Sequence, residues 1–69
     1  MALNKELIKD IMKYVETQEP PQMEAARQIW ALGVTEARLH KMKSEMGVSD
    51  VTFISIANAL RDIEKGILL

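Results

Sequence analysis

Residues 32–36 read Leu-Gly-Val-Thr-Glu, and residues 46–50 read Met-Gly-Val-Ser-Asp. Each copy has an apolar residue that closes a helix, a glycine that tolerates a positive φ, and a valine that packs under the corner. A hydroxyl residue then caps the next helix, and an acid follows at the positive end of that helix's dipole. The repeated stretch therefore predicts two sharp corners between consecutive helices.

Hydrophobic periodicity on either side of these corners predicts four helices in a single domain over residues 1–69, at about 3–18, 22–32, 36–46 and 50–65. Pro20 and Pro21 separate the first two helices, because proline disfavours α geometry in the preceding residue and cannot continue the hydrogen-bond ladder. We interpret the β-branched run 51–54 as helical and buried, since it directly follows a helix cap. Trp30 is predicted to lie in the core. The expected fold is an all-α, compact four-helix bundle.

Composition excludes several classes of protein. The chain has 69 residues, of which 48% are hydrophobic and 28% charged, as in a globular domain. It has no cysteine, so disulfides, thiolate metal sites and cysteine nucleophiles are excluded, and its one histidine cannot build a zinc site alone. No nucleophile–base pair, glycine-rich phosphate loop or acid dyad is apparent, and we expect neither an enzyme nor a cofactor or small-molecule site. No apolar run predicts a membrane span and residues 1–13 do not resemble a signal peptide, so the expectation is a cytoplasmic protein.

Charge is distributed unevenly along the chain, although its net value is only −1. Residues 1–24 carry a net −2, residues 25–48 a net +2, and residues 49–69 a net −1. The middle is thus the only net-basic stretch, and it contains the first of the two corners. This coincidence favours an anionic partner for the middle of the chain.

Residues 24–42 resemble a helix-turn-helix. They share its apolar first helix, its glycine at the turn (Gly33), the Val-Thr that follows, and apolar residues four and seven positions beyond that threonine, Leu39 and Met42. Ile29 stands where the family most often has a small alanine. The resemblance implies a small DNA-binding transcriptional regulator or accessory protein, of the kind found on phages and other mobile elements.

The same resemblance implies which residues would contact double-stranded DNA. The candidates are Arg27, Thr35, Arg38, His40, Lys41 and Lys43. In this hypothesis Thr35 caps the third helix and Arg27 braces the DNA backbone. Arg38, Lys41 and Lys43 engage phosphates or base edges from the third helix.

A second alignment to the superfamily is also open. Residues 46–49 followed by residues 63–68 are similar to the end of winged helix-turn-helix domains, whose recognition helix starts after Gly-Val-Ser. Residues 50–55 would then enter the groove. No wing is expected, because the chain stops where the wing hairpin would begin.

The fourth helix has a heptad-like apolar seam that supports a different function. Its members are Phe53, Ile56, Leu60, Ile63 and Ile67. Either this helix is central and wrapped by the other three, or the seam meets a second chain as a homodimer or with another protein. With the apolar tail 67–69, the second interpretation predicts a protein-interaction module, such as an adaptor, anti-regulator or inhibitor.

Overall fold

Helices account for most of the chain in the computed structural model, which describes residues 4–18 and 21–67. In those ranges there are five helices and no strand, and the predicted all-α class is confirmed. The helices are α1 (Lys5–Gln18), α2 (Gln22–Ala31), α3 (Glu36–Lys41), α4 (Lys43–Met46) and α5 (Asp50–Glu64). Leu3 and Pro20, which entered the predicted boundaries, lie outside the described residues.

Both predicted corners are present with the expected caps. Gly33 has φ +81° and Gly47 has φ +64°, a left-handed backbone that favours glycine. Thr35 Oγ1 accepts a hydrogen bond of 3.3 Å from the Arg38 amide at the start of α3. Ser49 caps α5 in the same way, because its hydroxyl accepts a hydrogen bond from the third residue beyond it.

The predicted third helix, 36–46, is wrong in one respect, because it is interrupted at Met42. The backbone of Met42 has ψ −2°, far from the helical value of about −42°. Its amide bonds both the Arg38 and Leu39 carbonyls, so α3 ends in a tightened turn before α4 begins. Leu39, Met42 and Met46 suit one face of an unbroken helix, which is why their spacing did not indicate the interruption.

Helix α5 is the central helix of the fold. It packs most extensively against α2, and also against α1 and α3. Its inward face holds seven buried residues: Thr52, Phe53, Ile56, Ala57, Ala59, Leu60 and Ile63. The central-helix interpretation is therefore confirmed.

This burial corrects the predicted interface on the fourth helix. Phe53, Ile56, Leu60 and Ile63 are each no more than 1% exposed and pack inside their own chain. They are unavailable to a second chain while the domain is folded. Only Ile67 of that seam is exposed, and the remainder of the apolar tail lies outside the described residues.

Three apolar side chains predicted to be buried lie at the surface instead. Val51 is 76% exposed and Ile54 is 52% exposed, because Thr52 and Phe53 take the inward face at this end of α5. Trp30 is 39% exposed. Its neighbour Ile29 is fully buried and occupies the inward position at the end of α2.

Candidate nucleic-acid interface

Four of the six predicted DNA-contacting side chains are carried by α3 and α4, and we call them the basic surface: Arg38, His40, Lys41 and Lys43. All four are exposed. The guanidinium of Arg38 donates a 3.3 Å hydrogen bond to the Gly33 carbonyl, so this side chain folds back over the first corner. Three cations and a histidine thus lie within six consecutive residues of the chain, and His40, Lys41 and Lys43 line one cleft.

A cleft of about 380 Å³ opens on this surface, and Phe53 of α5 forms part of its lining. The His40 ring meets the Phe53 ring edge-on, with centroids 5.2 Å apart. The Lys43 ammonium lies 5.5 Å from the Phe53 centroid, within the range of a cation–π contact. Sequence reasoning missed this role of Phe53, because α5 is distant in the chain from α3.

The two acids of the net-basic stretch are each paired with a cation from another part of the chain. Glu36 Oε2 accepts a 2.8 Å hydrogen bond from Arg61 Nε of α5. Glu45 Oε2 lies 2.7 Å from Lys5 Nζ of α1. These acids are thus turned toward other helices, and the charge of the basic surface is offset less than the local sequence suggests.

One acid does approach the basic surface. Asp50, the first residue of α5, places a carboxylate oxygen 3.9 Å from Lys43 Nζ, and both side chains are more than half exposed. An exposed pair at this distance is weak and screened by salt. Lys43 therefore remains able to contact another anion.

The other two predicted residues have different positions. Thr35 serves as the cap of α3, so its hydroxyl oxygen is engaged within the chain. Arg27 is exposed on α2, outside the run 38–43, and its side chain is not free of interactions. Neither lies on the basic surface as defined above.

Two glutamates hold the corners from a distance, and we call these contacts the corner clamps. Glu16 Oε1 of α1 accepts a 2.6 Å hydrogen bond from the Ser49 amide, 33 residues away. Glu64 Oε1 of α5 accepts a 2.6 Å hydrogen bond from the Glu36 amide, 28 residues away. Each clamp satisfies a backbone amide at a helix start that has no intrahelical partner. No local sequence pattern could have indicated them.

The contact between Glu16 and Ser49 makes the free energy of unfolding depend on pH. Hydrogen bonds from Ser49, by its hydroxyl first and its amide second, lower the pKa of Glu16. The Glu16 carboxylate therefore binds a proton less readily in the folded chain than in the unfolded chain. The resulting stabilisation is fully present above the ordinary glutamate pKa of about 4.3 and is lost as pH falls through the lower folded value.

We expect the Glu16→Gln variant to lose less stability than the wild type when pH falls from about 5 to about 3. The amide oxygen of glutamine can still accept from Ser49, but the variant has no proton to take up. Urea unfolding followed by circular dichroism across this range measures the difference. Glu6→Gln, on the same helix, is the control and should follow the wild type. Parallel curves for the wild type and Glu16→Gln would contradict the assignment.

Other kinds of site are not apparent in the described part of the chain. Within residues 4–18 and 21–67, no group of three His, Cys, Asp or Glu side chains is placed to hold a metal ion. None of the helices described above has the length and apolar character needed to cross a membrane.

Comparison with known proteins returned no matching family model, no matching curated protein and no matching solved structure. Neither the fold nor the basic surface is thereby assigned to a family.

Proposed function

We propose that this chain is a small regulator that binds double-stranded DNA through the basic surface on α3 and α4. The pairing of Glu36 and Glu45 with cations from other helices is the observation that carries the proposal. It leaves Arg38, Lys41 and Lys43 as an exposed group of three positive charges. Such a group can neutralise DNA phosphates and release the counterions condensed on them.

Phosphate contacts are expected to dominate over base contacts. Helix α3 has six residues, which corresponds to a length of about 9 Å. It ends at the Met42 interruption, so little helix is available to follow the major groove. Phosphate contacts position a protein on the duplex without carrying sequence information directly. We therefore propose binding with modest sequence preference and strong dependence on salt.

Of the two alignments to the helix-turn-helix pattern, the first corner has more support. The start of α5, which would enter the groove in the second alignment, exposes Asp50, Val51 and Ile54. A carboxylate repels phosphate, and two aliphatic side chains supply no hydrogen bonds to it. The basic surface next to the first corner has the opposite character.

The test is fluorescence anisotropy of a labelled random-sequence duplex, titrated with the protein at about 50 and about 200 mM salt. If three phosphates are neutralised, affinity should fall by about 40-fold between these salt concentrations. A flat salt response, or no binding at high micromolar protein in low salt, would overturn the proposal. A strong preference for one duplex sequence over the random pool would contradict the phosphate-dominated mode alone.

The alternative function is a protein-interaction module that acts through the fourth helix and tail. Most of the side chains predicted to form its interface are not accessible. Four of the five side chains assigned to it are buried in the core. A protein partner would have to use a different surface of the molecule.

A further inference from the structure

A groove runs between α1 and α2, away from the basic surface. It has a volume of about 550 Å³. Its lining residues are Asp10, Ile11, Tyr14, Glu24, Ala25 and Gln28. None of these belongs to the basic surface or to its cleft, so the two surfaces can be occupied independently.

Ile11 and Tyr14 line the groove, and Leu7 extends this apolar stripe along α1 beyond the lining. Tyr14 is 55% exposed, and Leu7 is 40% exposed one turn before Ile11, on the same side of α1. The three positions, at i, i+4 and i+7, extend over about 10 Å of helix. This length matches two turns of a second helix laid alongside, the arrangement by which amphipathic helices are bound in grooves.

The rim of the groove is acidic. Asp10 comes from α1 and Glu24 from α2, and both side chains are exposed. Among the described residues that line the groove, there is no lysine or arginine. Neither carboxylate forms an ion pair with any residue in 4–18 or 21–67. A ligand that reaches the apolar floor therefore meets an exposed carboxylate on either side.

We propose that this groove binds an amphipathic helix of a partner protein in which lysines or arginines flank the apolar stripe. The apolar floor would take the stripe, and Asp10 and Glu24 would pair with the flanking cations. DNA is excluded from this surface, because the rim repels phosphate.

Neither α5 nor α3 of a second copy offers the required chemistry. Its exposed apolar residues on α5, Val51 and Ile54, lie beside Asp50. That carboxylate would face the acidic rim of the groove. The basic residues of α3 have no exposed large apolar residue on their own helix.

The exposed apolar residues of α1 in a second copy lie beside Asp10, which would also face the acidic rim. Trp30 and Ile67 are single exposed residues and not a stripe at helical spacing. A partner of different sequence is thus the occupant that the charges favour.

The experiment uses the full chain and two labelled designed helical peptides of the same length. Both carry leucine at every third or fourth position, and the remaining positions are lysine in one peptide and glutamate in the other. The wild type should bind the lysine peptide at least about tenfold more tightly than the glutamate peptide, as measured by anisotropy. The double variant Asp10→Lys/Glu24→Lys should reverse this preference.

Two matched truncations distinguish binding in the groove from nonspecific hydrophobic binding elsewhere on the surface. Tyr14→Ala should weaken binding of the lysine peptide by about tenfold, as expected for an aromatic anchor. Ile54→Ala removes an equally exposed apolar side chain from α5, and it should leave the affinity unchanged. Thermal melts of both variants, followed by circular dichroism, establish that they remain folded.

Three results would overturn the proposal. The first is no binding of the lysine peptide at about 100 µM protein, and the second is equal weakening by Tyr14→Ala and Ile54→Ala. The third is sedimentation showing a wild-type dimer that Asp10→Lys/Glu24→Lys converts to monomer, which would assign the groove to a second copy. The DNA titration is unaffected by any of these results, because it depends on a different set of side chains.

Discussion

Replacing Ile56 by alanine should lower the free energy of unfolding by about 3 kcal/mol. Ile56 is fully buried in α5, the helix against which α1, α2 and α3 all pack. Truncation removes buried apolar atoms and leaves a cavity that the surrounding helices fill only in part. A domain of this size has a total stability of roughly 3 to 10 kcal/mol. The variant should therefore lose a large share of its folded population.

Urea unfolding at two protein concentrations tests both the size and the origin of this effect. Val51→Ala, on the same helix but at the surface, is the matched control and should shift stability by less than about 0.5 kcal/mol. The midpoint should not depend on protein concentration, because Ile56 is buried within one chain. A midpoint that rises with concentration in the wild type and not in Ile56→Ala would place this side chain in an interface between chains.

The double variant Lys41→Gln/Lys43→Gln should bind DNA about 100-fold more weakly than the wild type at about 50 mM salt. On the proposed function, each lysine neutralises one phosphate, so the slope of log affinity against log salt should become shallower by about 2. The loss should shrink as salt rises, since the free energy gained by releasing each counterion falls as the bulk salt concentration rises. Anisotropy titrations at four or five salt concentrations give both quantities.

A charge-matched control separates a local surface from net charge. Lys13→Gln/Lys65→Gln removes the same two charges from exposed positions on α1 and just after α5. It should retain most of the wild-type affinity and nearly the wild-type slope. Equal losses in both double variants would contradict the proposed site, because any two lysines would then be equivalent.

Much of the fold could be predicted because its determinants are local. The glycine, valine and hydroxyl residues at each corner act on the backbone within a few positions, and both corners formed with the predicted caps. The hydrophobic spacing likewise located the helices, with the Met42 interruption as the exception. That interruption depends on one ψ angle and leaves the spacing of buried residues unchanged.

The sequence does not determine whether the apolar face of α5 packs against its own chain or against a second one, because hydrophobic periodicity describes one helix at a time. The spacing of Phe53, Ile56, Leu60 and Ile63 suits a central helix and a coiled-coil seam equally. Only the packing of α5 against three other helices decided between them. The size and type of Trp30 predict a core position, whereas its place beside the buried Ile29 at the end of α2 leaves it partly exposed.

The basic surface could be predicted from the sequence, whereas its pairing with other helices could not. Arg38, His40, Lys41 and Lys43 are neighbours in the chain, so their grouping required no knowledge of the fold. The cations that pair with the nearby acids come from α1 and α5, and the groove between α1 and α2 joins residues of both helices. Those relations exist only once the helices have packed.

The corner clamps also indicate that segment 36–49 can open locally more readily than the rest of the molecule. Segment 36–49 is held at one end by Glu64 and at the other by Glu16, and both contacts are exposed hydrogen bonds. Glycines with positive φ precede α3 and follow α4. This segment can therefore open locally when the two clamps and the ion pairs Glu36–Arg61 and Glu45–Lys5 break, which also exposes the buried side chains Leu39, Met42 and Met46. Helices α1, α2 and α5 also pack directly against one another, independently of this segment. We therefore expect local opening to begin in the segment that carries the basic surface, while the three longer helices stay assembled.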